Sequence, residues 1–576
     1  MPWLLILLLS SVIIGETALL DSFKGATLVL DLLVLFASFR FGLEFYQAFK
    51  KLWTRPDYHN AEAISATSKR QIWSVLKMLL CLIALSALGI WTFRWLHGWE
   101  LASSYKDSLN FRVQLDLALL CAGLVEFMKW RPVEKIWARL ELTPPRIGLF
   151  FYLGISFLGA WVLLLPFSLK TGATLSVVNS LFISVSAITV TGLSPINPGE
   201  TFSIVGLCFL MLILHIGGIG IAFFSALVAS VARQRLSLTQ SKVGQELYSI
   251  TDLGDVSQFL KKIFLFTLFA ELLGWGLIYL GLPSDLEHRS FHALFHSVSA
   301  FCNAGFSSLP MGLEIPGLAF MKSIVATLII LGGIGFPVIF ELLARLRDRR
   351  LRNRPLSSGA LLAVVMSAGL ILVGFLAIFF TEVSVKGWSG FSLASFGHSL
   401  FASVTARTAG FNTLPVGDLA LGSQFVLVLL MMVGASPIST GGGLKTTTVA
   451  LLLIAVFNFF RGNTWIQFNG REISYYLLHK CIAIVFCYFL LLVFAVGFLA
   501  SVEGADLWSA IFESVSALST VGLSLGLTSQ LGPLGKFALM FLMLAGRYGL
   551  VTIVFAGIGN MKEQRYRYPS GSLYVG

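Results

Sequence analysis

The chain alternates between long apolar runs and short polar segments. A helix needs about 20 mostly apolar residues to cross a bilayer. Runs of this kind lie near 3–20, 26–46, 73–96, 113–128, 147–167, 203–232, 262–282, 318–344, 358–381, 421–460, 476–500 and 534–560. The pattern predicts about twelve crossings. Apolar residues make up 56% of the 576 positions and charged residues 12%, which predicts an all-α polytopic membrane protein.

Four of the polar segments are copies of one pattern. Ser-Val-Ser/Thr-Ala occurs at 184–187, 297–300, 403–406 and 514–517, and a glycine follows each copy, at Gly192, Gly305, Gly410 and Gly522. Each copy lies between a spanning helix and a second one, on a short amphipathic helix. Near-equal spacing predicts tandem helix–pore-loop–helix units, at 146–245, 246–355, 356–470 and 471–576. Residues 1–145 contain no copy and are predicted to form an extension of about four helices.

Non-helical backbone at membrane depth leaves polar groups unsatisfied unless it lies inside protein or against a water-filled path. Four such loops predict a common pseudo-fourfold pore, in which carbonyl oxygens replace the water around a cation. Glycine allows positive φ and close backbone approach, and the short helices would point their negative C-terminal ends at the cation. The alternative is that the glycines only permit close helix packing. Four matched copies favour the pore.

The last helix of the third unit contains a polar interruption. The apolar run from 421 to 434 gives way to a polar segment at 435–448, which holds Pro437 and three successive glycines. Such a segment predicts a break in the helix and a gating loop. A phosphate-binding loop is excluded, because Leu444 interrupts the motif and no strand is predicted before it.

Arg547 lies in an apolar run and needs an interior acceptor. The carbonyls of 436–443 are the predicted acceptors, with Glu513 as the alternative. The gate candidates are Ser439, Thr440, Gly441, Gly442, Gly443, Lys445 and Arg547.

The net charge of +12 comes from basic residues that cluster in alternate loops, most densely at 345–354. The positive-inside rule predicts a cell membrane protein with these loops and both termini on the cytoplasmic side. It also explains the basic residues without a nucleic-acid partner. Six cysteines show no zinc or disulfide spacing. No pair of residues suggests catalysis, so the chain is not predicted to be an enzyme.

Three groups of charged residues near the loops are predicted to be structural. His288, His292 and His296 share one helix face, and a bracing or vestibule role is favoured over a metal site. Arg407 is predicted to brace its loop through an acidic residue such as Asp418, and Glu513 to act as a similar brace.

The combination of loop motifs resembles a known family. TVTGL (189–193), CNAGF (302–306), RTAGFNT (407–413) and STVGL (519–523), with SPISTGGGLKTTT (436–448), resemble the Trk/Ktr/HKT potassium transporter superfamily, and most of all its Ktr-type membrane subunit. The resemblance covers 146–576. It implies one potassium filter formed by Thr189, Val190, Thr191, Gly192, Asn303, Ala304, Gly305, Thr408, Ala409, Gly410, Thr520, Val521 and Gly522.

The resemblance also implies selectivity and partners. Glycine at all four filter positions implies potassium as the transported ion, whereas serine at the first position is typical of sodium-permeable members. The implied partners are a second copy of the chain, in a homodimer, and a cytosolic ring of nucleotide-binding regulatory subunits on a separate chain. No covalent cofactor is expected, and sodium as an activator stays open. A sodium-permeable cation transporter of the same fold is one alternative, and two others remain. One is a secondary transporter with broken helices and two inverted halves. The other is a non-transporting sensor built on 1–145.

Overall fold

The computed structural model describes residues 144–220, 255–315, 317–348, 355–387, 392–463 and 465–549. The predicted extension therefore lies outside the described residues, apart from its last two positions. So do the end of the predicted run at 203–232, most of the basic cluster at 345–354 and the C-terminal tail. Within the described ranges the chain is mostly helical, and its one sheet is a two-stranded antiparallel hairpin of β1 (Gln467–Phe468) and β2 (Arg471–Glu472).

Each unit has a first helix, a short helix and a second helix. The first unit contains α1 (Pro144–Leu163), α2 (Val177–Ile188), a one-turn helix α3 (Pro198–Thr201) and α4 (Ile204–Ile219). The second contains α5 (Asp255–Gly281), α6 (Arg289–Phe301), α7 (Ala319–Gly333) and α8 (Phe336–Arg347).

The third unit contains α9 (Ser358–Lys386), α10 (Leu393–Thr405), α11 (Leu421–Met432) and α12 (Thr446–Phe460). The fourth contains α13 (Tyr475–Val502), α14 (Leu507–Leu518), a one-turn helix α15 (Leu527–Gln530) and α16 (Pro533–Tyr548). Single 3-10 turns lie at Pro166–Ser168 and Val416–Asp418.

The short helices α2, α6, α10 and α14 have defined starts. The side chains of Ser176, Ser392 and Asp506 accept backbone N–H groups at the beginnings of α2, α10 and α14, which satisfies donors that a helix N-terminus leaves unpaired. The short helix α6 lacks such a cap, and His288 precedes it in the left-handed conformation.

The exterior of the molecule is apolar. Among the described helices, α5, α9 and α13 each contain a continuous apolar stretch long enough to cross a membrane. Their outward side chains include Phe269, Phe380 and Phe486, whose exposed fractions are 64%, 63% and 66%. So large an apolar surface is unfavourable in water and suits a lipid environment.

The prediction of one continuous span at 318–344 is wrong. That run forms two helices, α7 and α8, which meet at an angle of 100°. Gly335 at the bend has φ +97°, and Pro337 follows it, so the second helix starts afresh. The break frees the N–H of Phe336 from the helix. This group donates to the carbonyl of Ile438 in the third unit.

The units pack side by side in a closed arrangement. Asn197 of the first unit donates to the carbonyl of Pro310 in the second. Trp508 of the fourth donates to Gln424 of the third, at 2.8 Å. Lys536 of the fourth donates to Asn179 of the first, at 2.9 Å, so the last unit returns to the beginning of the repeat.

Candidate functional site

The four short helices are tied to the loops that follow them. Ser186 and Ser516 accept the N–H groups of Gly192 and Gly522, each at 3.1 Å. In the other two units the equivalent hydroxyls, of Ser299 and Thr405, donate at 2.8 Å to the carbonyls of the residues after the glycines, Phe306 and Phe411. The third position of the repeated motif therefore fixes each glycine relative to its own helix.

The first serine of the motif has a different role in different units. Ser297 and Ser403 donate to the carbonyls of Glu271 and Ile371, which ties α6 to α5 and α10 to α9. The hydroxyls of Ser184 and Ser514 are buried and make no hydrogen bond to any described residue. The repeat is thus only approximately symmetric in its contacts.

The four glycines form a closed ring. A Cβ atom built on Gly192 would lie 3.2 Å from the Cα of Gly305, and the same construction gives 3.0 Å from Gly305 to Gly410, 3.0 Å from Gly410 to Gly522 and 3.1 Å from Gly522 back to Gly192. All four have positive φ, of +93°, +69°, +74° and +97° in chain order. A side chain at any of them would also collide with the carbonyl oxygen of the residue that precedes the next glycine. Only glycine fits this ring.

The residue two positions before each glycine has an unusual backbone conformation. Val190, Asn303, Thr408 and Thr520 have φ of +57°, +59°, +68° and +52°. Three of them are β-branched, for which the left-handed region is a true outlier, and each such residue costs about 1–3 kcal/mol. The same strained conformation thus recurs in all four loops, at the same distance before the glycine.

The loop residues on either side of the ring are buried. The residues Thr189, Val190, Thr191, Asn303, Ala304, Thr408, Ala409, Thr520 and Val521 each expose 1% or less of their surface. All thirteen residues of the predicted filter are therefore brought together at the centre of the described units.

Buried polar residues of the short helices brace the segments after the glycines. Glu513 of α14 accepts the hydroxyls of Ser524 and Thr528. At the equivalent position of α6, His296 Nε2 contacts the hydroxyl of Ser307 at 2.9 Å. Glu513 is the brace that the sequence predicts, and it does not pair with Arg547.

The three histidines of the second unit do not share a ligand position. Their ring nitrogens face different partners: Glu287 for His288, Ser308 for His292, and Ser307 for His296. His292 and His296 hold the outer segment of the unit, in line with the bracing role that the sequence interpretation favours, whereas His288 contacts its neighbour in sequence.

Arg407 is braced, but by a different partner from the one predicted. Its guanidinium donates to the carbonyl of Ser367 at 3.2 Å and to the Ser367 hydroxyl at 3.0 Å. Ser367 lies on α9, behind the third loop, whereas Asp418 lies in the outer segment of the same unit. The prediction of Asp418 is wrong because sequence proximity does not reveal which helix packs behind a loop.

A cavity of about 270 Å³ opens on one side of the ring. All four glycines line it, together with the segments that follow them. Glu314 also lines the cavity. Burial raises the pKa of the Glu314 carboxyl, the negative charge of Asp418 adds to the rise, and Lys322 opposes it. We call this cavity, in which Glu314 is the one charged residue among the described residues of the lining, the acidic mouth of the ring.

On the opposite side of the ring lies an irregular segment of the third unit. The predicted break is confirmed: α11 ends at Met432, α12 begins at Thr446, and residues 433–445, the intramembrane loop, separate them. The loop folds back on itself through hydrogen bonds from the N–H of Gly434 to Leu444 and from Lys445 Nζ to the carbonyl of Gly441, at 2.9 and 2.7 Å. Ser439 donates to the carbonyl of Ser436 at 2.6 Å.

The intramembrane loop packs against two of the four filter loops and against the end of the short helix that precedes another. Thr440 donates through its hydroxyl to Phe301 at the end of α6, at 3.2 Å. Methyl groups added at Gly441 and Gly442 would collide with the hydroxyls of Thr408 and Thr520. The loop therefore lies across the ring on the face away from the acidic mouth.

Arg547 completes these contacts toward the first unit. Its guanidinium donates to the carbonyl of Thr440, which lies in the segment that the sequence predicts as acceptor, and also to the carbonyls of Gly217 and Gly218 at the end of α4. One side chain of the fourth unit thus links the intramembrane loop to the first.

Glycines at the ends of the second helices permit these approaches. A Cβ atom at Gly217, Gly332 or Gly546 would collide with the last carbonyl of the short helix in the same unit, at Ile188, Phe301 or Leu518. Since glycine has no Cβ, each second helix touches the base of its own filter loop.

Sequence reasoning overlooked two of the supporting residues, Ser367 and Tyr488. Tyr488 of α13 is fully buried, and its hydroxyl lies 2.6 Å from that of Ser519, just before the fourth loop. A polar side chain within an apolar run was the available signal, since such groups need an interior partner.

Comparisons with known proteins agree with this architecture. A family model described as TrkH, cation transport protein, matches residues 160–566. The chain is 32% identical over 452 residues to the Ktr system potassium uptake protein B of Bacillus subtilis, which covers 77% of this chain and 99% of that protein. It is also 32% identical over 458 residues to the potassium/sodium uptake protein NtpJ of Enterococcus hirae, covering 77% and 100%. The solved structure of the potassium transporter TrkH from Vibrio parahaemolyticus shares the fold, with a TM-score of 0.60 at 19% identity over 84% of this chain and 98% of that one.

Proposed function

The chain belongs to the TrkH family of cation transport proteins, and on that premise we propose that it is the potassium-translocating membrane subunit of a potassium uptake system. Potassium enters from the acidic mouth, loses its water in the glycine ring and passes to the cytoplasm. The closed contact from Gly192 through Gly305, Gly410 and Gly522 back to Gly192 is the observation that carries this proposal. Four strained loops that turn carbonyls to a shared centre suit a dehydrated cation.

The transported ion is potassium, with the backbone carbonyls of the loop residues as its ligands. Support comes from glycine at all four ring positions and from the naming of the Bacillus subtilis relative as a potassium uptake protein. A sodium-permeable transporter of the same fold is the second candidate, because the Enterococcus hirae relative is named for both ions. In the first candidate function potassium is the substrate, and sodium serves at most as an activator.

The intramembrane loop acts as the gate. Its contacts with the second, third and fourth units, and the link through Arg547 to the first, support an obstruction that is held in place by all four units. Ser439, Thr440, Gly441, Gly442, Gly443, Lys445 and Arg547 form this device. Ion flow requires the loop to leave its position across the ring.

The membrane potential drives the flow, since a charge that crosses 100 mV changes its free energy by about 2.3 kcal/mol. The protein sits in the cell membrane with both termini in the cytoplasm, and the basic loops face inward. A homodimer, with a cytosolic ring of nucleotide-binding regulatory subunits on a separate chain, completes the system.

Growth at low external potassium tests the proposal. The full chain is expressed in a bacterium that lacks its own potassium uptake systems, with and without a candidate regulatory subunit. Restored growth, together with uptake of ⁸⁶Rb⁺, is expected. Well-expressed, membrane-inserted protein that restores neither would contradict the proposal, and uptake of sodium at the same rate as rubidium would favour the sodium-permeable candidate.

A further inference from the structure

Three ionisable side chains meet behind the second filter loop and have no part in the proposed ion path. They are His215 on α4, Glu271 on α5 and Cys302 at the C-terminal end of α6. Their ligand atoms all lie within 4.8 Å of one another. An ionisable group in a membrane-spanning helix is costly and is usually functional, so the convergence of three on separate elements calls for a ligand.

The distances between the ligand atoms suit a tetrahedral metal. His215 Nδ1 lies 3.2 Å from Glu271 Oε1, and Cys302 Sγ lies 3.9 Å from the same oxygen. Ligands at 2.0–2.3 Å from a tetrahedral zinc ion are separated by roughly 3.3–3.8 Å. The site would therefore close on such an ion with shifts of well under 1 Å for the two measured pairs and about 1 Å for the third.

The donor set selects the kind of ion. One thiol, one imidazole and one carboxylate match Zn²⁺, Cd²⁺ and similar borderline-soft ions, which commonly take three protein ligands and a water. Calcium and magnesium prefer six or more oxygen ligands, and the cluster offers only a single carboxylate. The thiol gives its proton to water when it binds the ion.

The metal site is accessible from one side, and it contacts the residues that bind Arg547. The side chain of His215 is 30% exposed, whereas that of Glu271 is 5% exposed, so an ion would enter past the imidazole. A Cβ atom at Gly218 would lie 2.5 Å from Cys302 Sγ, so α4 touches the loop at this point. The carbonyls of Gly217 and Gly218 are also acceptors of Arg547, which holds the intramembrane loop.

We propose that His215, Glu271 and Cys302 form an inhibitory binding site for a zinc-class divalent ion behind the second filter loop. A bound ion joins α4 and α5 to the filter loop, and thereby fixes the end of α4 that receives Arg547. Occupancy therefore favours the arrangement in which the intramembrane loop lies across the ring, and it lowers potassium flux.

Metal binding to the purified full-length protein tests the site without any measurement of transport. Cd²⁺ is titrated into wild-type protein, and bound metal is counted by mass spectrometry while the thiolate-to-cadmium charge-transfer absorption is recorded. Wild type is expected to bind one equivalent more than Cys302→Ser, with the absorption band weakened in that variant. His215→Asn and Glu271→Gln are expected to bind the same equivalent at least tenfold more weakly. Cys487→Ser, in α13 and away from the cluster, is the matched control and should retain the wild-type stoichiometry and band.

Melting temperatures of all variants show whether each is folded, and the conservative His215 and Glu271 substitutions test the site if Cys302→Ser is unstable. Equal stoichiometry, affinity and absorption in wild type and all three site variants would overturn the proposal.

In proteoliposomes, Zn²⁺ is expected to reduce ⁸⁶Rb⁺ uptake by wild type and Cys487→Ser at least tenfold more potently than uptake by His215→Asn. Equal inhibition, or bound metal with no effect on flux, would overturn the inhibitory role, whereas failure of the transport proposal would appear as absent uptake before any metal is added.

Discussion

Single residues in the filter loops are under constraints that their sequence neighbours do not share. Gly192 must have φ of +93°, and it must also leave room for the carbonyl of Ala304. Gly172 has a similar φ of +83°, but nothing lies within 4 Å of the position where its Cβ would be. The two glycines therefore separate the effect of backbone conformation from the effect of close approach.

Gly192→Ser is expected to admit sodium, because the added side chain displaces the neighbouring carbonyl and widens or distorts the ring. The ratio of potassium to sodium flux in proteoliposomes should fall at least tenfold, which corresponds to about 1.4 kcal/mol of lost discrimination. Gly172→Ser pays a comparable conformational cost outside the ring and should leave the ratio unchanged. Equal ratios in wild type and Gly192→Ser would count against the filter assignment.

At the residue scale, the sequence predicts some of the contacts that brace the loops and not others. Glycine positions and the acceptor segment for Arg547 could be predicted, since a repeated local motif and a buried charge each restrict the backbone nearby. The partner of Arg407 could not, because it depends on which face of α9 packs behind the third loop. The same holds for the Tyr488 contact with Ser519.

At the scale of helices, small residues determine how closely the second helix of each unit approaches its short helix. Gly332 in α7 and Gly546 in α16 face carbonyl oxygens at the ends of α6 and α14. Gly497 in α13 lies in open space. Glycine is unfavourable in a helix unless its lack of a side chain is needed.

Gly332→Ala and Gly546→Ala are expected to destabilise the protein by about 1–3 kcal/mol each, since backbone on both sides must shift. Gly497→Ala should be neutral or stabilising, by up to about 1 kcal/mol, because alanine is the better helix former. Thermal unfolding in detergent, followed by size-exclusion chromatography, measures both. A melting temperature of Gly332→Ala at or above that of Gly497→Ala would contradict the packing described here.

The intramembrane loop gives a second prediction about an element. Deletion of 439–443 removes the residues that lie against Thr408 and Thr520, and it should raise potassium flux by about tenfold if the blocked state dominates. Arg547→Gln, which keeps hydrogen-bonding capacity but removes the charge, should raise flux by a smaller factor. Flux of the deletion variant at or below that of wild type, at equal protein in the membrane, would rule out the gating role.

Helix breaks were only partly predictable from the pattern. The break in the third unit was visible because Pro437 and three glycines interrupt an apolar run. The bend at Gly335 was missed, since the apolar run at 318–344 continues through it. Gly335 and Pro337 were a local signal for the bend, and the N–H of Phe336 that the break frees is satisfied by Ile438 of another unit.

For the whole molecule, electrostatics at the acidic mouth give a prediction about pH. The pKa of Glu314 is raised, so its negative charge is lost at a higher pH than that of an ordinary glutamate as the outside is acidified. A negative mouth concentrates cations and speeds their entry. Uptake of ⁸⁶Rb⁺ at low external concentration should therefore fall as the external pH is lowered through the mildly acidic range, and Glu314→Gln should be slower at neutral pH and less sensitive to pH. A pH profile identical in both proteins would exclude Glu314 as the group responsible.

Near-equal spacing of a short motif predicts four units around one centre, and the glycines that follow the four copies do approach one another in a ring. The contacts that close the circle, such as Lys536 with Asn179, join positions far apart in the chain and carry no local pattern. The central claim concerns the space that the four units enclose. A dehydrated potassium ion is proposed to bind there, with main-chain oxygens of the glycine ring as its ligands.

Anomalous diffraction from crystals of the full chain grown in Tl⁺, which substitutes for K⁺, tests this claim most directly. Anomalous peaks are predicted on the axis enclosed by Gly192, Gly305, Gly410 and Gly522, within coordination distance of the carbonyls of the preceding residues, and they should weaken when K⁺ is added in competition. Ordered Tl⁺ found only away from that axis, with an empty ring, would contradict it.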